Sequence, residues 1–440
     1  MSAGVAAVVM AGGLGTRMRS TVPKHLHPIL GRRMVEWVLE AARKLDLEQL
    51  VLVCSPSTRD SFPGIETAVQ EQPLGTGDAV RSARALLENC SDELLVLSGD
   101  TPLLTTTSLR ELIEAHRREG AAATVLSFCP TDVRRYGRVV RDESGRVRAI
   151  VEAGDASSEE LAIREVNSSI YVFRSELLWP VLERLEPVNA QGELYLTDAI
   201  RMLVADGEPV AAHLAADPIE TEGVNTRAEM AAAAQILRER INLQLMLAGV
   251  TIVDPSSTWI EPTVALEPDV TVHPFTVLRG STRAASGAEI GPHVVAVDSE
   301  IGEGVTVGPF CYLRAGTVLG AGAKAGTFVE IKNSTVGEAA KVPHLSYIGD
   351  AEIGEQTNVA AGAITANYRP EIGPGKQRTK IGPHVRTGVH NAFVPPVEIG
   401  EGAVIAAGSV ITEDVPPGAL AIARSQQVNK EGYARESDGE

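Results

Sequence analysis

Glycines and basic side chains follow an apolar segment near the start of the chain. The stretch VVMAGGLGTRM spans residues 8 to 18, with glycines at 12, 13 and 15 and the cation Arg17, and a second cation, Lys24, follows it. Glycines let backbone N–H groups approach an anion closely, and the two cations supply positive charge. The stretch therefore predicts a phosphate-binding loop, although a tight turn between a strand and a helix has the same pattern. It is neither a Walker A loop nor a dinucleotide fingerprint.

Two further segments of the first half carry side chains suited to a nucleotide. The segment QEQPLGTGDA supplies Gln70 and Thr76, whose side chains can hydrogen-bond a base edge, around a glycine turn at Gly75. Asp100 follows an apolar run in LSGDTPLL, where a carboxylate can hold Mg²⁺, although a lone aspartate at a strand end is more often a cap or turn former. Together these groups predict a site for a nucleoside triphosphate.

One histidine of the second half lies among polar and aromatic side chains. His344 is in VPHLSYIGD with Tyr347, and Arg314 and Lys332 precede it. A histidine that titrates near neutrality can act as a general base. The residues alone leave open whether His344 is catalytic or structural.

Alternating patterns predict the elements that position the first set of residues. Short runs rich in Val, Leu and Ile alternate with helical patterns, which is typical of a parallel sheet with helices on both faces. Ligands of such folds collect at the carboxyl ends of the strands, where the glycine loop and LSGDTPLL lie. The predicted strands are 6–10, 50–54, 94–97 and 124–128, and the predicted helices are 34–45 and 107–118.

A long helical pattern separates the two halves. Residues 226–247 are rich in Ala, Leu, Met, Gln, Arg and Glu without Pro or Gly, and Gly249 supplies a stop signal. Its apolar residues are expected to pack within the protein. We therefore predict a first domain over 1–226, a helical linker over 227–248, a second domain over 249–424 and a tail over 425–440.

Beyond residue 250 the hydrophobic pattern has a period of six. Neither a helix nor an alternating strand produces this register, whereas a coil of short strands and tight turns does, with one inward aliphatic residue per hexapeptide. The pattern therefore predicts a parallel β-helix. Its runs are Ile260, Leu266, Val272 and Leu278; Ile301, Val307, Leu313, Leu319, Ala325 and Ile331; and Ile399, Ile405 and Ile411.

Composition limits the class of protein. The 440 residues are 44% hydrophobic without an apolar run long enough to span a membrane, which indicates a soluble chain of two or three domains. A formal net charge of −17 disfavours nucleic acid or an anionic membrane as a partner. The four cysteines lack a C-x-x-C pair, which is typical of reduced thiols. The N-terminal residues lack a secretion signal, so a cytoplasmic location is expected.

The motifs of the first half resemble those of a known family. MAGGLGTRMRSTVPKHLH is similar to the L-x-x-G-x-G-T-R-M…P-K signature of sugar-phosphate nucleotidyltransferases, and QPLGTGDA, LSGDTPLL, YGRVV, EVNSSIYVF, GELYLTDAI and EGVNTR follow in that family's order. With a hexapeptide β-helix containing KVPHLSYIGDAEIG, residues 4–432 resemble the bifunctional N-acetylglucosamine-1-phosphate uridylyltransferases and glucosamine-1-phosphate acetyltransferases. The resemblance implies an α/β, Rossmann-like nucleotidyltransferase domain followed by a left-handed parallel β-helix. It also implies UTP, acetyl-CoA and glucosamine 1-phosphate as substrates.

The resemblance implies roles for the matching positions of the first half. Arg17 and Lys24 would hold the UTP phosphates and act in catalysis. Mg²⁺ would be bound by Asp100 and Asn225. The nucleotide would contact Met10, Ala11, Gly12, Gly13, Gln70, Gly75 and Thr76, and the sugar would contact Gly137, Glu152, Asn167 and Asn225.

The resemblance also implies an acetyltransferase site, with His344 as the base that takes a proton from the sugar amine. Arg314 and Lys332 would hold the sugar phosphate. The family builds this site between neighbouring subunits of a trimer, so a homotrimer is implied as well. The sugar and acetyl group would meet Tyr347, Asn358, Asn367 and Tyr368, and coenzyme A would meet Ala361, Val389, Ala407 and Arg424.

The sequence departs from the family pattern at several of these positions. NYRP, at 367–370, replaces the common N-Y-D-G, and Gly388, Val389 and His390 replace a Gly-Ser-Asp near the acetyl donor. In the first half, the segment EAGD and Ser169, where glycine is usual, also differ. These changes bear on acetyl-donor binding and on sugar discrimination.

Two alternative functions are weighed against the bifunctional enzyme. One is a single nucleotidyltransferase, of the ADP-glucose or GDP-mannose type, with a structural or regulatory β-helix. A purely structural coil would not need His344 with its neighbouring cations, which disfavours this alternative. The other is a non-enzymatic assembly subunit, which is disfavoured by the presence of Arg17, Lys24, Asp100 and Asn225.

Overall fold

The computed structural model describes residues 4–13, 15–133 and 136–433. The chain forms two compact units, residues 1–237 and 238–440. The border falls inside the long helix, whereas the predicted domain limits at 226 and 248 flank that helix and remain predictions. Residues 434–440 of the predicted tail lie outside the described part. No helix among the described residues is long and apolar enough to cross a membrane.

The first unit contains a nine-stranded sheet, a short hairpin and seven helices of its own within the described residues. The strands are β1 (Val5–Ala11), β2 (Pro28–Ile29), β3 (Arg32–Arg33), β4 (Gln49–Cys54), β5 (Glu66–Val69), β6 (Glu93–Ser98), β7 (Ala123–Phe128), β8 (Arg138–Arg141), β9 (Val147–Val151), β10 (Val166–Arg174) and β11 (Val210–Leu214). The helices are α1 (Met34–Arg43), α2 (Thr76–Ser82), α3 (Arg84–Leu87), α4 (Thr106–Glu119), α5 (Ser158–Leu161), α6 (Ser175–Leu182) and α7 (Leu196–Ala205).

The order of the large sheet is β11-β7-β10-β6-β1-β4-β5, with β8 and β9 added beside β10. Of the seven strands in the main order, β10 alone runs antiparallel to its neighbours. The carboxyl ends of β1, β5 and β6 and the start of β10 therefore meet at the same edge. This edge is where ligands of parallel sheets collect.

Both faces of this sheet are buried, which explains why its strands read as continuous apolar runs. Along β1, Ala6, Val8 and Met10 belong to one hydrophobic core, and Ala7 and Val9 belong to another. The predicted strands and helices of the first half are confirmed to within a few residues, and the mostly parallel α/β fold is confirmed.

The helix α8 (Arg227–Leu247) carries the chain from one unit into the next. It is followed by Gly249, whose φ of +99° lies in the left-handed region where glycine is favoured. Met230 and Leu237 pack with apolar residues of the first unit, and Ile241 and Leu245 pack against the core of the second. These residues have the packing role that the sequence predicts.

The second unit is a parallel β-helix with three faces, because every strand pair in it is parallel and each sheet takes one short strand per coil. The first face contains Thr251–Ile252, Thr271–Val272, Glu289–Ile290, Thr306–Val307, Lys324–Thr327, Lys341–His344, Arg386–Thr387, Val404–Ile405 and Leu420–Ala421. The second contains Trp259–Ile260, Val277–Arg279, Val294–Val297, Cys311–Leu313, Glu330–Lys332, Tyr347–Gly349, Ile364–Thr365, Ala392–Phe393 and Val410–Ile411. The third contains Ala265–Leu266, Arg283–Ala284, Glu300–Ile301, Val318–Leu319, Thr335–Val336, Ala351–Ile353, Thr379–Ile381 and Val397–Ile399.

The six-residue period arises because each coil has three sides with one inward aliphatic residue on each, and these residues stack on their equivalents in the next coil. On the first face Val272 pairs with Ile290, Ile290 with Val307, and Val307 with Ala325. Each of these side chains is fully buried in one continuous core. The predicted β-helix is therefore confirmed.

Candidate active sites

A cavity of about 510 Å³ opens at the sheet edge where β1 and β6 end and β10 begins. Ten of the residues predicted for the nucleotide and metal line it: Met10, Gly12, Gly13, Arg17, Lys24, Gln70, Gly75, Thr76, Asp100 and Asn225. Ala11 ends β1 and is buried without lining the cavity. The residues are distant in sequence, so the sheet topology assembles the site.

Two glycines in this cavity have no room for a side chain. A Cβ atom at Gly12 would lie 2.6 Å from Oε1 of Gln70. Gly75 has a φ of +117°, and a Cβ there would lie 2.5 Å from the carbonyl oxygen of Leu194. Gly75 is therefore required, because a side chain there would meet backbone, whereas a side chain at Gly12 would displace the Gln70 amide.

Lys24 is the centre of a polar cluster in the cavity. Its ammonium forms an ion pair with Asp100 and donates to Oδ1 of Asn225 at 2.7 Å. Arg17 donates to the same Asn225 oxygen at 2.8 Å, and Ser98 donates to Oδ1 of Asp100 at 2.7 Å. The cluster therefore holds two cations against the accepting oxygens of Asp100 and Asn225.

The electrostatics of this cluster keep Asp100 ionised. Burial by itself raises the pKa of this carboxyl, but the charge of Lys24 and the hydrogen bonds from Lys24 and Ser98 outweigh burial, so the pKa lies below its usual value. The pKa of His25 is lowered to about 4, chiefly by burial, against the attraction of Asp100. Near neutral pH, Asp100 is therefore an anion and His25 is a neutral ring.

The cluster also contains the oxygen ligands that Mg²⁺ prefers. Oδ2 of Asp100 and Oδ1 of Asn225 both contact the same ammonium, so they lie close together. Among the described residues, no group of three or more His, Cys, Asp or Glu side chains is arranged to hold a metal. A magnesium ion here would therefore take most of its ligands from phosphate and water, as Mg²⁺ commonly does.

Gln70 and Thr76 are fixed by contacts around the second glycine turn. The buried Gln70 amide donates to the carbonyl oxygen of Gly75 and to Oδ2 of Asp78, both at 3.0 Å. Thr76 accepts from the backbone N–H of Leu196 at 3.0 Å. These contacts hold both side chains at the cavity wall.

Of the four predicted sugar residues, Asn225 lines this cavity, and Gly137, Glu152 and Asn167 form a neighbouring cluster. The N–H of Asn167 donates to the carbonyl oxygen of Gly137 at 2.9 Å, and a Cβ at Gly137 would lie 3.3 Å from the carboxylate of Glu152. Thr197 donates to Glu152 at 3.2 Å. Burial raises the pKa of Glu152 against this hydrogen bond, and the charges of nearby aspartates raise it further.

Several cavity residues escaped prediction. His25, Ser98 and Glu193 line the cavity without having been predicted as site residues, and Ser169 was singled out only as a departure from the family. Ser98 carries a usable signal, because it is the last residue of β6 and directly precedes the glycine before Asp100. His25 is adjacent to Lys24 in sequence but carries no distinguishing pattern. Glu193 reaches the cavity from a distant loop.

In the second unit, His344 and three predicted coenzyme A residues form one column. His344, Ala361, Val389 and Ala407 each precede the corner residue of a successive coil. The backbone carbonyl oxygen of each residue accepts a hydrogen bond from the N–H of the corner residue in the next coil. The N–H of Gly362 donates to His344 at 3.4 Å, that of His390 donates to Ala361 at 2.7 Å, and that of Gly408 donates to Val389 at 2.8 Å. Arg424 donates to the carbonyl oxygen of Ala407 at 3.1 Å, which joins it to the same column.

The predicted phosphate-binding cations lie on the second face of the β-helix. Arg314 and Lys332 occupy equivalent positions in successive coils, because Leu313 pairs with Ile331 one residue earlier. Arg314 donates to Glu330 at 2.8 Å, and Glu330 in turn pairs with Tyr347. His344 ends its strand three residues before Tyr347 begins the next one.

Asn367 and Tyr347 share a hydrogen-bonded group with Asp350. The buried amide of Asn367 donates to Oδ2 of Asp350 at 2.5 Å and to the Tyr347 hydroxyl at 3.3 Å. Asn333 donates to the other Asp350 oxygen at 2.6 Å. Gly349 leaves space for this group, since a Cβ there would lie 2.5 Å from both the Asn367 amide and the Tyr347 hydroxyl.

The remaining predicted residues lie further along the coil. Tyr368 is exposed, with the ammonium of Lys376 at 5.3 Å from its ring centroid. Asn358 bridges the strands of Lys341 and Arg386 on the first face. Arg369, at one of the departures from the family, donates to Glu371 at 2.6 Å.

Two family models match the chain. The MobA-like NTP transferase domain matches residues 7–216. The bacterial transferase hexapeptide (six repeats) matches residues 378–413. A solved structure of UDP-glucose pyrophosphorylase complexed with UDP-glucose covers 54% of the chain and 99% of its own at 16% identity and a TM-score of 0.45, which is too remote to bear on function.

Curated relatives match over nearly the whole chain. The bifunctional protein GlmU of Streptomyces avermitilis is 47% identical over 99% of this chain and 95% of its own length. The proteins of the same name from Corynebacterium aurimucosum and Exiguobacterium sp. are 42% and 45% identical over 98% of this chain and over 93% and 99% of their own lengths. With a nucleotidyltransferase fold, a hexapeptide β-helix and identity at this level, the chain belongs to the family of the bifunctional protein GlmU.

Proposed function

We propose that the chain makes UDP-N-acetylglucosamine with two separate sites, as a bifunctional member of its family. The β-helix transfers the acetyl group of acetyl-CoA to the amine of glucosamine 1-phosphate. The first unit then transfers the uridylyl group of UTP to the resulting N-acetylglucosamine 1-phosphate and releases pyrophosphate. The observation that carries the proposal is the cluster of Lys24, Arg17, Asp100 and Asn225 at the strand ends.

The proposed uridylyl transfer depends on position and charge. The phosphate oxygen of the sugar attacks the α-phosphorus of UTP in line, and the bond to pyrophosphate breaks. Since this nucleophile is already an anion, the step needs no general base. Lys24 and Arg17 neutralise the charge that develops on the phosphate oxygens.

The proposed metal residues are Asp100 and Asn225, whose oxygens fit Mg²⁺. A bound Mg²⁺ would supply charge neutralisation at the phosphates. The Lys24 ammonium contacts both of these oxygens, and its charge keeps the Asp100 carboxylate ionised.

The remaining residues of this site hold the two substrates. The backbone around Gly12 and Gly13 and the side chains of Gln70 and Thr76 bind the nucleotide, together with Met10, Ala11 and Gly75. Gly137, Glu152 and Asn167, together with Asn225, bind the amino sugar. The contacts that fix Gln70 and Glu152 in advance support these roles, because prepositioned groups lose little entropy on binding.

In the proposed acetyl transfer, His344 takes a proton from the sugar amine as that amine attacks the thioester carbonyl. The carbon–sulfur bond breaks, and coenzyme A leaves as its thiol. Arg314 and Lys332 hold the sugar phosphate. Tyr347, Asn358, Asn367 and Tyr368 contact the sugar and acetyl group, and Ala361, Val389, Ala407 and Arg424 contact coenzyme A. The column that joins His344 to three of these residues supports the assignment.

We also propose that the chain forms a homotrimer in solution. A row of side chains lies along one corner of the β-helix, formed by Phe275, His293, Phe310, Phe328 and Leu345. The first four rings stack, with centroids 4.7, 4.7 and 5.3 Å apart, and the four apolar members are 48–60% exposed. All five have positive φ values, so the chain accepts backbone strain to display them.

Sedimentation equilibrium tests the assembly. A mass of three chains is expected for the wild type, and Phe310→Glu is expected to shift the population toward monomers. A wild-type monomer would contradict the proposed trimer.

The proposed substrates, UTP and acetyl-CoA, are consistent with a cytoplasmic enzyme.

Two assays on the same preparation test the proposed function. Free thiol is measured with acetyl-CoA and glucosamine 1-phosphate, and pyrophosphate is measured with UTP and N-acetylglucosamine 1-phosphate. Both products are expected. Release of pyrophosphate without thiol would support the alternative of a single nucleotidyltransferase with a structural β-helix, for which the changes at Val389 and Arg369 give a specific reason.

A further inference from the structure

Ser169 has a backbone conformation that is unfavourable for a residue with a side chain. Its φ is +62°, in the left-handed region that glycine adopts without strain. A glycine at this position would relieve the strain and also lower the bulk at the site. The serine therefore needs a compensating reason to be there.

The local fold explains the strained position but not the serine. The pairing of β10 with β7 shifts between Asn167 and Tyr171, which marks a β-bulge. The side chain of Asn167 accepts from the N–H of Ser169 at 3.0 Å. Ser168 donates to the carbonyl oxygen of Leu126 at 2.6 Å and accepts from the N–H of Ile170 at 3.2 Å. The neighbouring side chains thus stabilise the bulge without the hydroxyl of Ser169.

Ser169 is one of the residues around the cavity that contains Lys24 and Asp100. The residue is half-buried and lines that cavity. Within the described part of the chain, the hydrogen bonds at Ser169 involve its backbone, and its hydroxyl has no protein partner. The bulge therefore places a residue with an unpaired hydroxyl beside the cavity.

The sheet order indicates which substrate this hydroxyl meets. The glycine loop follows β1 and the Gln70 turn follows β5, and both of these strands lie on one side of β6. Ser169 is on β10, which lies on the other side of β6, and it is two residues from Asn167. It is therefore on the sugar side of the cavity, away from the segments assigned to the nucleotide.

We propose that Ser169 is a substrate-binding residue of the uridylyl-transfer site, whose hydroxyl hydrogen-bonds the sugar phosphate. This inference rests on the proposed function of the first unit. The bond adds affinity for the sugar phosphate and leaves binding of UTP unchanged. The backbone strain at φ +62° is retained because the side chain contacts substrate.

Two variants separate the hydroxyl from the strain. Ser169→Ala keeps the strained side chain and removes the hydroxyl, whereas Ser169→Gly removes both. We expect both variants to raise the KM for N-acetylglucosamine 1-phosphate about three- to tenfold, the loss expected for one hydrogen bond, with the KM for UTP within twofold of wild type. Only Ser169→Gly is expected to raise the melting temperature, because it alone relieves the strain.

Each possible result decides the proposal. An unchanged sugar-phosphate KM in Ser169→Ala, or a rise in the KM for UTP instead, would overturn it. If the wild type released no pyrophosphate at all, the proposed function would fail, and calorimetric binding of N-acetylglucosamine 1-phosphate would still decide the role of Ser169. Weaker binding by Ser169→Ala supports the contact, and equal or absent binding by both proteins overturns it.

Discussion

The two units assemble their candidate sites by different means. In the first unit, Arg17 and Asn225 contact each other across 208 residues of sequence, because strand order brings loop ends together. In the second unit, His344, Ala361, Val389 and Ala407 recur at corners of successive coils. One site depends on the topology of a sheet, and the other depends on the repeat of a coil.

The sites also differ in burial. Lys24 is 7% exposed and is held by two oxygen atoms before substrate arrives. His344 is exposed at the end of its strand. The first unit holds its charged side chains in fixed positions within a buried cluster, whereas the second unit has His344 at an exposed corner of the β-helix. In the proposed trimer, a neighbouring chain would cover the exposed side of the His344 site.

The largest expected effect tests whether the open site is catalytic. We expect His344→Ala to lower the rate of acetyl transfer by about 10²- to 10⁴-fold, because it removes the proposed general base. Pyrophosphate release should stay unchanged, since that chemistry belongs to the other unit. Free thiol and pyrophosphate are measured in parallel on the same preparation.

His384→Ala is the matched control for this experiment, because His384 is another exposed histidine of the β-helix. It should leave both rates near wild type. Thiol release at the wild-type rate in His344→Ala would contradict a catalytic role for His344 and for the column.

The next effect tests the buried charge cluster. We expect Lys24→Met to lower pyrophosphate release by about 10²- to 10³-fold, because the phosphate oxygens lose a preorganised cation. Acetyl transfer should be unchanged. The initial rates are followed at saturating UTP, with circular dichroism to confirm the fold.

Lys44→Met provides the control, because Lys44 directly follows α1 and its side chain is 63% exposed. This variant should behave as wild type. Equal activity of Lys24→Met and Lys44→Met would show that the cluster has only a structural role.

These differences explain what the sequence could predict. The β-helix was predictable because each hexapeptide repeats the same inward position, as in Ile290 and Val307. The strands of the first unit were predictable because both faces of the sheet are buried. Patterns of this kind depend only on residues that are close together in the sequence, so the sequence reveals them.

Long-range pairings were not predictable from spacing. The ion pair of Lys24 with Asp100 depends on the order of β1 and β6 in the sheet. The corner column was hidden because the loop after Thr365 interrupts the period, so Val389 follows Ala361 by 28 residues instead of the 17 that separate Ala361 from His344. Ser169 required the φ angle and the bulge, which sequence does not give.

A smaller effect is expected from acid on the first unit. Burial, assisted by the charges of Arg117 and Arg174, lowers the pKa of His116 to about 4. In the unfolded chain this histidine titrates near pH 6.5, so between pH 6.5 and 4 the unfolded state binds more protons. The free energy of unfolding should therefore fall as the pH is lowered, by roughly 2 kcal/mol between pH 7 and pH 5 from this residue.

Urea unfolding at the two pH values measures this loss. Trp259→Phe is introduced as the background so that fluorescence reports on the first unit, which contains the buried Trp179. His116→Gln keeps a polar partner for Thr124 and removes the titration. The variant should lose less stability between pH 7 and pH 5 than its parent, and equal losses would contradict the assignment to His116.

The smallest expected effect tests whether Val389, in the column of the second unit, lies beside the acetyl donor. Val389 is 44% exposed, and its carbonyl oxygen accepts from Gly408, so its side chain can change without disturbing the corner. Val389→Ser adds a hydroxyl beside the proposed acetyl donor, and one hydrogen bond of about 0.5–1.5 kcal/mol corresponds to a KM for acetyl-CoA roughly two- to tenfold lower. The KM for glucosamine 1-phosphate should not change, because the residues proposed to hold that substrate, Arg314 and Lys332, lie on the neighbouring face. An unchanged KM for acetyl-CoA would mean that the acetyl donor does not bind at this corner. Ala361, Val389 and Ala407 would then have only a packing role in the column.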